Sequence, residues 1–193
     1  MSSHFSQDKE PSNEETVQIF DEKGRSLSCY IEHSLDTDGI TYLLLMPVDI
    51  PIVIISWDDD DSDTEEVEAV MLEDDAEIAE IFANAKAVLA EQNLYLQHTG
   101  YSLTATGELP PIEEEQLLTL NLDEDGGDLE AEELQLLASF YHAQHKYSIY
   151  TPLTPLLFFA RYNQNHELEL VSPDEDEFQS ILEELLFEEF DER

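Results

Sequence analysis

Hydrophobic and polar residues alternate near the start of the chain and fall three and four apart further on, so strands are expected first and a helix after them. Val17 and Ile19, then Leu27, Cys29 and Ile31, keep the period of two that marks a strand with one buried face. Lys23-Gly24 lies between these runs as a turn, and Asp36-Thr37-Asp38-Gly39 makes the next one. Asp bonds its own downstream backbone there, and Gly accepts positive φ. Two apolar runs follow, Tyr42–Met46 and Ile52–Ile55, separated by Pro47 and Pro51. Neither proline has the amide that a central ladder needs, which puts both at a strand boundary or edge. Trp57 closes the second run, and Val67, Ala69 and Met71 suggest another strand beyond an acidic loop. Asp74 and Asp75 then open a helix expected over 75–93, with Ile78, Ile81, Phe82, Ala85, Val88 and Leu89 on one stripe.

The middle of the chain is less regular. Tyr101, Leu103 and Ala105 alternate, whereas Leu117–Leu122 fits a helix or a strand equally. Asp123–Asp128 (DEDGGD) reads as a linker, and a helix is expected over 129–144 with Leu129, Leu134, Leu137, Ala138 and Tyr141 on one side. The end of the chain then repeats its beginning. Tyr42 and Tyr147, Pro47 and Pro152, and Trp57 and Tyr162 each stand 105 residues apart, and Pro51 and Pro155 stand 104 apart. Ile78, Ile81 and Phe82 correspond to Phe178, Ile181 and Leu182 at an offset of 100. A recurring order of strand, proline turn, strand, acidic loop, strand and helix is what a duplication leaves behind. The expected fold is therefore α+β, in two similar small modules, each an antiparallel β-meander followed by an acidic amphipathic helix. The boundaries expected are a disordered acidic leader at 1–14, a first module at 15–100, a connecting segment with the acidic linker at 101–128, and a second module at 129–193.

Charge shifts attention from fold to partner. Seven Lys and Arg face 47 Asp and Glu, a formal charge of −40. Such a chain is repelled by phosphate backbones and anionic headgroups, so neither nucleic acid nor a membrane is an expected partner. The hydrophobic content of 41% is enough for a core and argues against wholesale disorder. No apolar run approaches the roughly 18 residues of a membrane helix, and the first residues lack the apolar stretch of a secretory signal. A cytoplasmic protein is expected. The lone Cys29 rules out an intramolecular disulfide and, by its alternation with Leu27 and Ile31, reads as a small core residue.

Candidate chemistry is sparse. Asn121–Glu132 resembles a twelve-residue calcium loop in having oxygen side chains at its first, third and fifth positions, Gly126 at the sixth and Glu132 at the twelfth. Asn121 at the first position and Asp128 at the normally apolar eighth weaken the match, and a flexible acidic linker is the expected reading. His142 and His145 would share one helix face and could reach one metal, but no Cys stands near them. Phosphate-cradling loops, nucleophile elbows and zinc-protease motifs are absent from the sequence. No catalytic, cofactor-binding or metal-binding residues are assigned.

Aromatic clustering is the stronger signal. Tyr147, Tyr150, Phe158, Phe159 and Tyr162 surround Pro152 and Pro155, and the last helix is apolar over a wide arc that includes Phe187 and Phe190. The segment YSIYTPLTPLLFFARY, with HELELVSPDEDEF and ILEELLFEEF after it, resembles an acidic family of unknown function from cyanobacteria and chloroplasts, related to the small YrzB-like domains. The resemblance covers about 15–193 and is most specific over 133–190; it implies an α+β fold and supplies no catalytic residues.

The function expected from charge and aromatics is a non-enzymatic acidic adaptor, or assembly or regulatory factor, that binds a basic protein. The residues expected at the partner are Trp57, Asp58, Asp59, Asp60, Asp61, Tyr147, Tyr150, Tyr162, Phe187 and Phe190. The alternative is a nucleic-acid mimic that inhibits a DNA- or RNA-binding enzyme. Crowded carboxylates should also have raised pKa values, and their mutual repulsion should weaken the fold at low salt. Thermal melting at pH 7 should therefore show a midpoint that rises between low salt and about 0.15 M, where the Debye length falls to roughly 8 Å. A midpoint flat in salt would mean that the acids are individually solvated or paired.

Overall fold

The computed structural model describes residues 15–58, 68–122, 130–172 and 178–191. Strands β1 (Thr16–Phe20), β2 (Ser26–Thr37), β3 (Ile40–Pro47), β4 (Ile50–Asp58) and β5 (Glu68–Met71) lead into helix α1 (Asp75–Ala90). Strands β6 (Tyr95–His98) and β7 (Leu103–Thr106) follow, then a 3-10 turn at Glu114–Gln116 and strand β8 (Leu117–Leu122). The chain continues with β9 (Glu130–His142), β10 (His145–Pro152), β11 (Phe158–Tyr162), β12 (Leu168–Leu170) and α2 (Phe178–Asp191). The fold is α+β, with the registered strand pairs antiparallel.

Contacts divide the chain into two compact units. Of the described residues, one holds 15–18, 28–46, 158–172 and 178–191; the other holds 19–27, 47–58, 68–122 and 130–157. The first unit is built on a sheet ordered β1-β2-β3-β11-β12. Its core gathers Tyr42, Leu44, Phe159, Val171 and Ile181, with Phe178 and Leu182 of α2 packed against them. Tyr42 stacks on Phe159 at 5.7 Å, and Phe178 meets Phe159 edge-on at 5.0 Å. These are the two favoured aromatic geometries. Cys29 lies fully buried in β2, as its alternation implied.

The second unit is a sheet ordered β6-β7-β4-β10-β9-β8, with β5 also on β4. One flank of β4 pairs with β10; the other is shared, Ile50–Ile52 facing β7 and Ile55–Asp58 facing β5. Helix α1 covers one face through Ile78, Ile81, Ala85 and Leu89, which pack on Ile52, Ile54, Leu137, Phe140 and Ile149. On the other face Ile55, Leu134 and Tyr150 form a smaller cluster. Asp74 caps α1 by accepting from the N–H of Ala76 at 2.8 Å and of Glu77 at 3.2 Å. Its end closes with Asn93 at φ 62°, Asn93 N–H on Ala90 O and Leu94 N–H on Leu89 O. That is the double bond of a left-handed helix stop, and buried Leu94 seals it.

The helix expected over 129–144 is instead strand β9. The apolar spacing misleads because both faces of this strand are covered, and a bulge lies between. Leu134 and Leu136 serve the smaller cluster, while Ala138 and Phe140 serve the larger. The register shifts there, Tyr150 facing Leu136 and Ile149 facing Ala138, so Leu137 is the extra residue that reverses the alternation. His142 and His145, expected on one helix face, are opposed across a two-residue turn whose Ala143 and Gln144 have φ of 47° and 69°. Leu117–Leu122, open between helix and strand, is strand β8.

Ile149 is fully buried in β10 against the α1 cluster. Ile149→Ala should cost about 2–5 kcal/mol by chemical denaturation. A loss well under about 1 kcal/mol would mean that this strand does not carry the core.

Candidate functional site

The second unit holds a cavity of about 420 Å³ with an aliphatic wall that includes Ile52, Ile54, Leu72 and Leu103, and a polar rim of Arg25, Asp75 and His98. Three elements deliver the rim. Arg25 ends the β1–β2 turn, Asp75 opens α1, and His98 ends β6. The turn is shaped by Asp21, whose Oδ1 accepts from the N–H of Lys23 at 3.0 Å and of Arg25 at 2.9 Å. Its Oδ2 takes the Arg25 Nε at 2.7 Å. Gly100 allows the 99–102 loop to approach: a Cβ there would stand 2.6 Å from Arg25 O, while its N–H donates to Ser26 O at 3.1 Å. Tyr101, at φ 64°, donates its hydroxyl to Phe20 O at 2.6 Å.

The electrostatics of the rim are closed on themselves. Lys23 pairs with Asp75 Oδ2, and Asp75 Oδ1 lies 3.4 Å from both Arg25 Nη1 and His98 Nε2. The Lys23 hydrogen bond, opposed by partial desolvation and aided by Arg25, holds the Asp75 carboxyl below its ordinary value. Burial works against Asp21, yet hydrogen bonds from Arg25 and from two backbone N–H groups bring it below as well. These two carboxylates thus run opposite to the expectation of raised values, because each has a cation in contact. His98 is pushed down by burial first and by the Arg25 charge second. The neutral ring so favoured has Nε2 as acceptor for Arg25 Nη1. Phe82 stacks on its face at 6.1 Å. Arg25 is therefore engaged by Asp21, Asp75 and His98. Chemically this rim ties the β1–β2 turn to α1 and β6.

The residues expected at a partner are spread over both units. Trp57, next to the end of β4, donates Nε1–H to Ser148 Oγ at 3.0 Å and packs against the cluster of Ile55, Leu134 and Tyr150. Tyr150 is only 5% exposed, which withdraws its ring into that core. Tyr147 belongs to the other face, stacked on Phe140 at 5.3 Å. Its phenol is raised by burial first and then by the charges of Glu80 and Glu77 on α1. In the first unit, Tyr162 is half-buried in β11 opposite Leu168, and Phe187 is 70% exposed on α2. Asp58 is the last residue of β4; its side chain and that of Phe190, like Asp59, Asp60 and Asp61, lie outside the described residues.

Most of the calcium-like loop also lies outside them, but its ends are placed. Asn121 and Leu122 close β8, and Glu130–Glu132 open β9, with Asn121 opposite Ala131 and Leu122 opposite Glu130. Strands, not helices, flank the loop. Among the described residues no three His, Cys, Asp or Glu side chains converge as a metal site. Burial pushes the Cys29 thiol up to about 11, away from nucleophilic use. Sequence reading missed the Arg25–Asp75–His98 rim. The only local hint was Asp21 beside Lys23 and Arg25, in a chain with few cations.

Fold and site define an α+β protein of antiparallel sheets with an overwhelming acidic excess. The chain belongs to a family of proteins of unknown function, DUF3727, whose model matches residues 93–189. Residues 22–90 match the model of another family of unknown function, DUF1292. No curated protein and no solved structure matches the chain.

The lowered His98 pKa gives a test of the rim. The folded form binds the ring proton less readily than the unfolded chain, so the stabilisation is complete above the unfolded value of about 6.5. It is lost as pH falls from there through the lower folded value. Between about pH 7.5 and pH 5.5 the melting midpoint of the parent should fall relative to that of His98→Gln. Parallel midpoints would show that His98 titrates as it does in the unfolded chain.

Proposed function

We propose that the protein is a non-enzymatic acidic adaptor, an assembly or regulatory factor, that binds a basic protein. The observation that carries this reading is the use of its cations. Lys23 and Arg25 are engaged by Asp21 and Asp75, and Arg161 by Glu169 at 2.8 Å. Three of the seven Lys and Arg are therefore already paired within the chain, against 47 acids. Glu73, Glu77 and Glu80 remain exposed along the start of α1. Tyr147, which feels the charges of Glu80 and Glu77, adds a half-buried aromatic ring near this acidic stretch, a combination suited to Lys- and Arg-rich surfaces. Steering by such a face accelerates encounter with a cationic protein and weakens with salt.

No described helix is long and apolar enough to cross a membrane. We propose a cytoplasmic setting, in line with the resemblance to acidic cyanobacterial and chloroplast proteins of the YrzB-like kind. The duplication into two similar sheet-plus-helix modules belongs to the same proposal. It is supported by the spacing of Tyr42 and Tyr147, and of Trp57 and Tyr162.

The test is capture by the immobilised full chain at low salt and at about 0.15 M, with the retained proteins identified. Basic proteins should be enriched at low salt and partly released by the higher salt. Glu77→Gln with Glu80→Gln should reduce their capture several-fold. A retained set no more basic than the starting lysate would overturn the reading.

A further inference from the structure

Two residues between antiparallel strands ordinarily close a hairpin. Only Val48 and Asp49 separate β3 from β4, yet these strands enter different sheets, β3 pairing with β11 and β4 with β10. The link between β10 and β11, Leu153–Leu157, behaves in the same way. The registers make the relation quantitative. In the first unit Leu45 faces Phe158, Leu44 faces Phe159, Leu43 faces Ala160 and Tyr42 faces Arg161. Advancing the β3 members by the 105 residues that separate Tyr42 from Tyr147, and moving the β11 members back by as many, specifies four other pairs. They are Tyr150 with Val53, Ile149 with Ile54, Ser148 with Ile55 and Tyr147 with Ser56. Each is a pair found between β10 and β4.

The agreement extends beyond these rungs. The turn residues Asp38 and Gly39, both at positive φ, correspond to Ala143 and Gln144, also both positive. Tyr42, Leu44, Phe159 and Ile181 of one core correspond to Tyr147, Ile149, Ile54 and Ile81 of the other. A one-residue slip would turn every side chain to the opposite face, so coincidence of register and core together is a demanding match.

We propose that the chain is a duplicated module whose two copies have exchanged strands within one polypeptide. β1–β3 of the first copy complete the sheet of β11, β12 and α2, and β8–β10 of the second complete the sheet of β4, β5 and α1. In the unexchanged alternative, β3 folds back on β4 and β10 on β11. Pro47 and Pro51 bracket one connector, and Pro152 and Pro155 bracket or occupy the other. Without N–H groups they remove the rungs that would close each hairpin, which favours exchange at these hinges. The family match over 22–90 spans β2 to α1 as one contiguous stretch, although its strands divide here between two sheets. Exchange also makes each sheet depend on both copies, so neither copy can leave the fold as a contiguous piece. The inference rests on the two-module reading and not on the basic partner.

The test uses the full chain carrying Trp57→Cys and Lys146→Cys, register partners from different copies. Cys29 is retained because it is buried. Mild oxidation or a short bis-maleimide should link the pair within the monomer. A protease site inserted after the exposed Ile112, cut after folding, should leave both fragments in one particle that separates only in denaturant. Absence of the link, or spontaneous separation of the fragments, would overturn the exchange. Two hinge variants are then compared, Pro47→Thr/Val48→Asn/Asp49→Gly/Pro51→Thr and Pro152→Thr/Pro155→Thr. Each should lower the yield of the link several-fold while circular dichroism remains folded. A response at one hinge alone would leave the exchange standing and defeat the equivalence of the two copies. If neither hinge responds, the prolines do not hold the exchanged state and that part of the proposal is overturned. The parent measurements stand even if a hinge variant does not fold.

Discussion

The second unit depends on the pairing of β4 with β10. This rung sequence brings residues about a hundred positions apart into register, Ile54 against Ile149 and Val53 against Tyr150. From it follow both cores of that unit. Ile54 and Ile149 face α1, whereas Ile55 and Tyr150 turn to the smaller cluster with Leu134. Ser148 adds a polar link, its Oγ meeting Trp57 Nε1 and Ser139 Oγ, each at 3.0 Å. A buried hydroxyl needs such partners, and here they come from the strands on both sides.

Charge acts on a different scale. Carboxylates with a cation in contact, Asp21 and Asp75, titrate below their ordinary range and help to hold a turn, a helix start and a strand end together. Exposed acids such as Glu77 and Glu80 contribute to the surface field. The carboxylate group thus serves two purposes, and contact with a Lys or Arg separates them. Long-range steering is screened by salt over about 8 Å, while a partly buried contact is screened much less.

Strands, turns and helix caps were legible in the sequence because their determinants are local. Alternation located β1 and β2, apolar runs bounded by Pro47 and Pro51 located β3 and β4, Asp38-Gly39 marked its turn, and Asp74 with the stripe from Ile78 to Leu89 defined α1. β9 was not legible as a strand. Its two covered faces and its bulge at Leu137 imitate helical spacing, and only the neighbouring strand and α1 reveal which face each residue serves. The Arg25, Asp75 and His98 rim escaped for a related reason. Its members are separated by 50 and 73 residues, and no local pattern connects them.

By itself the sequence determined the class of fold, the large acidic excess, the core role of Cys29 and the spacing that relates Tyr42 to Tyr147. Composition and short-range periodicity suffice for these, since each is a property of neighbouring residues or of a simple count. Tertiary structure alone decided which strand completes which sheet. A two-residue link such as Val48-Asp49 permits either a hairpin or an extended crossing, and the choice is made by the rungs and side chains that a distant strand supplies. That energy lies in contacts between residues far apart along the chain, where no local pattern records it.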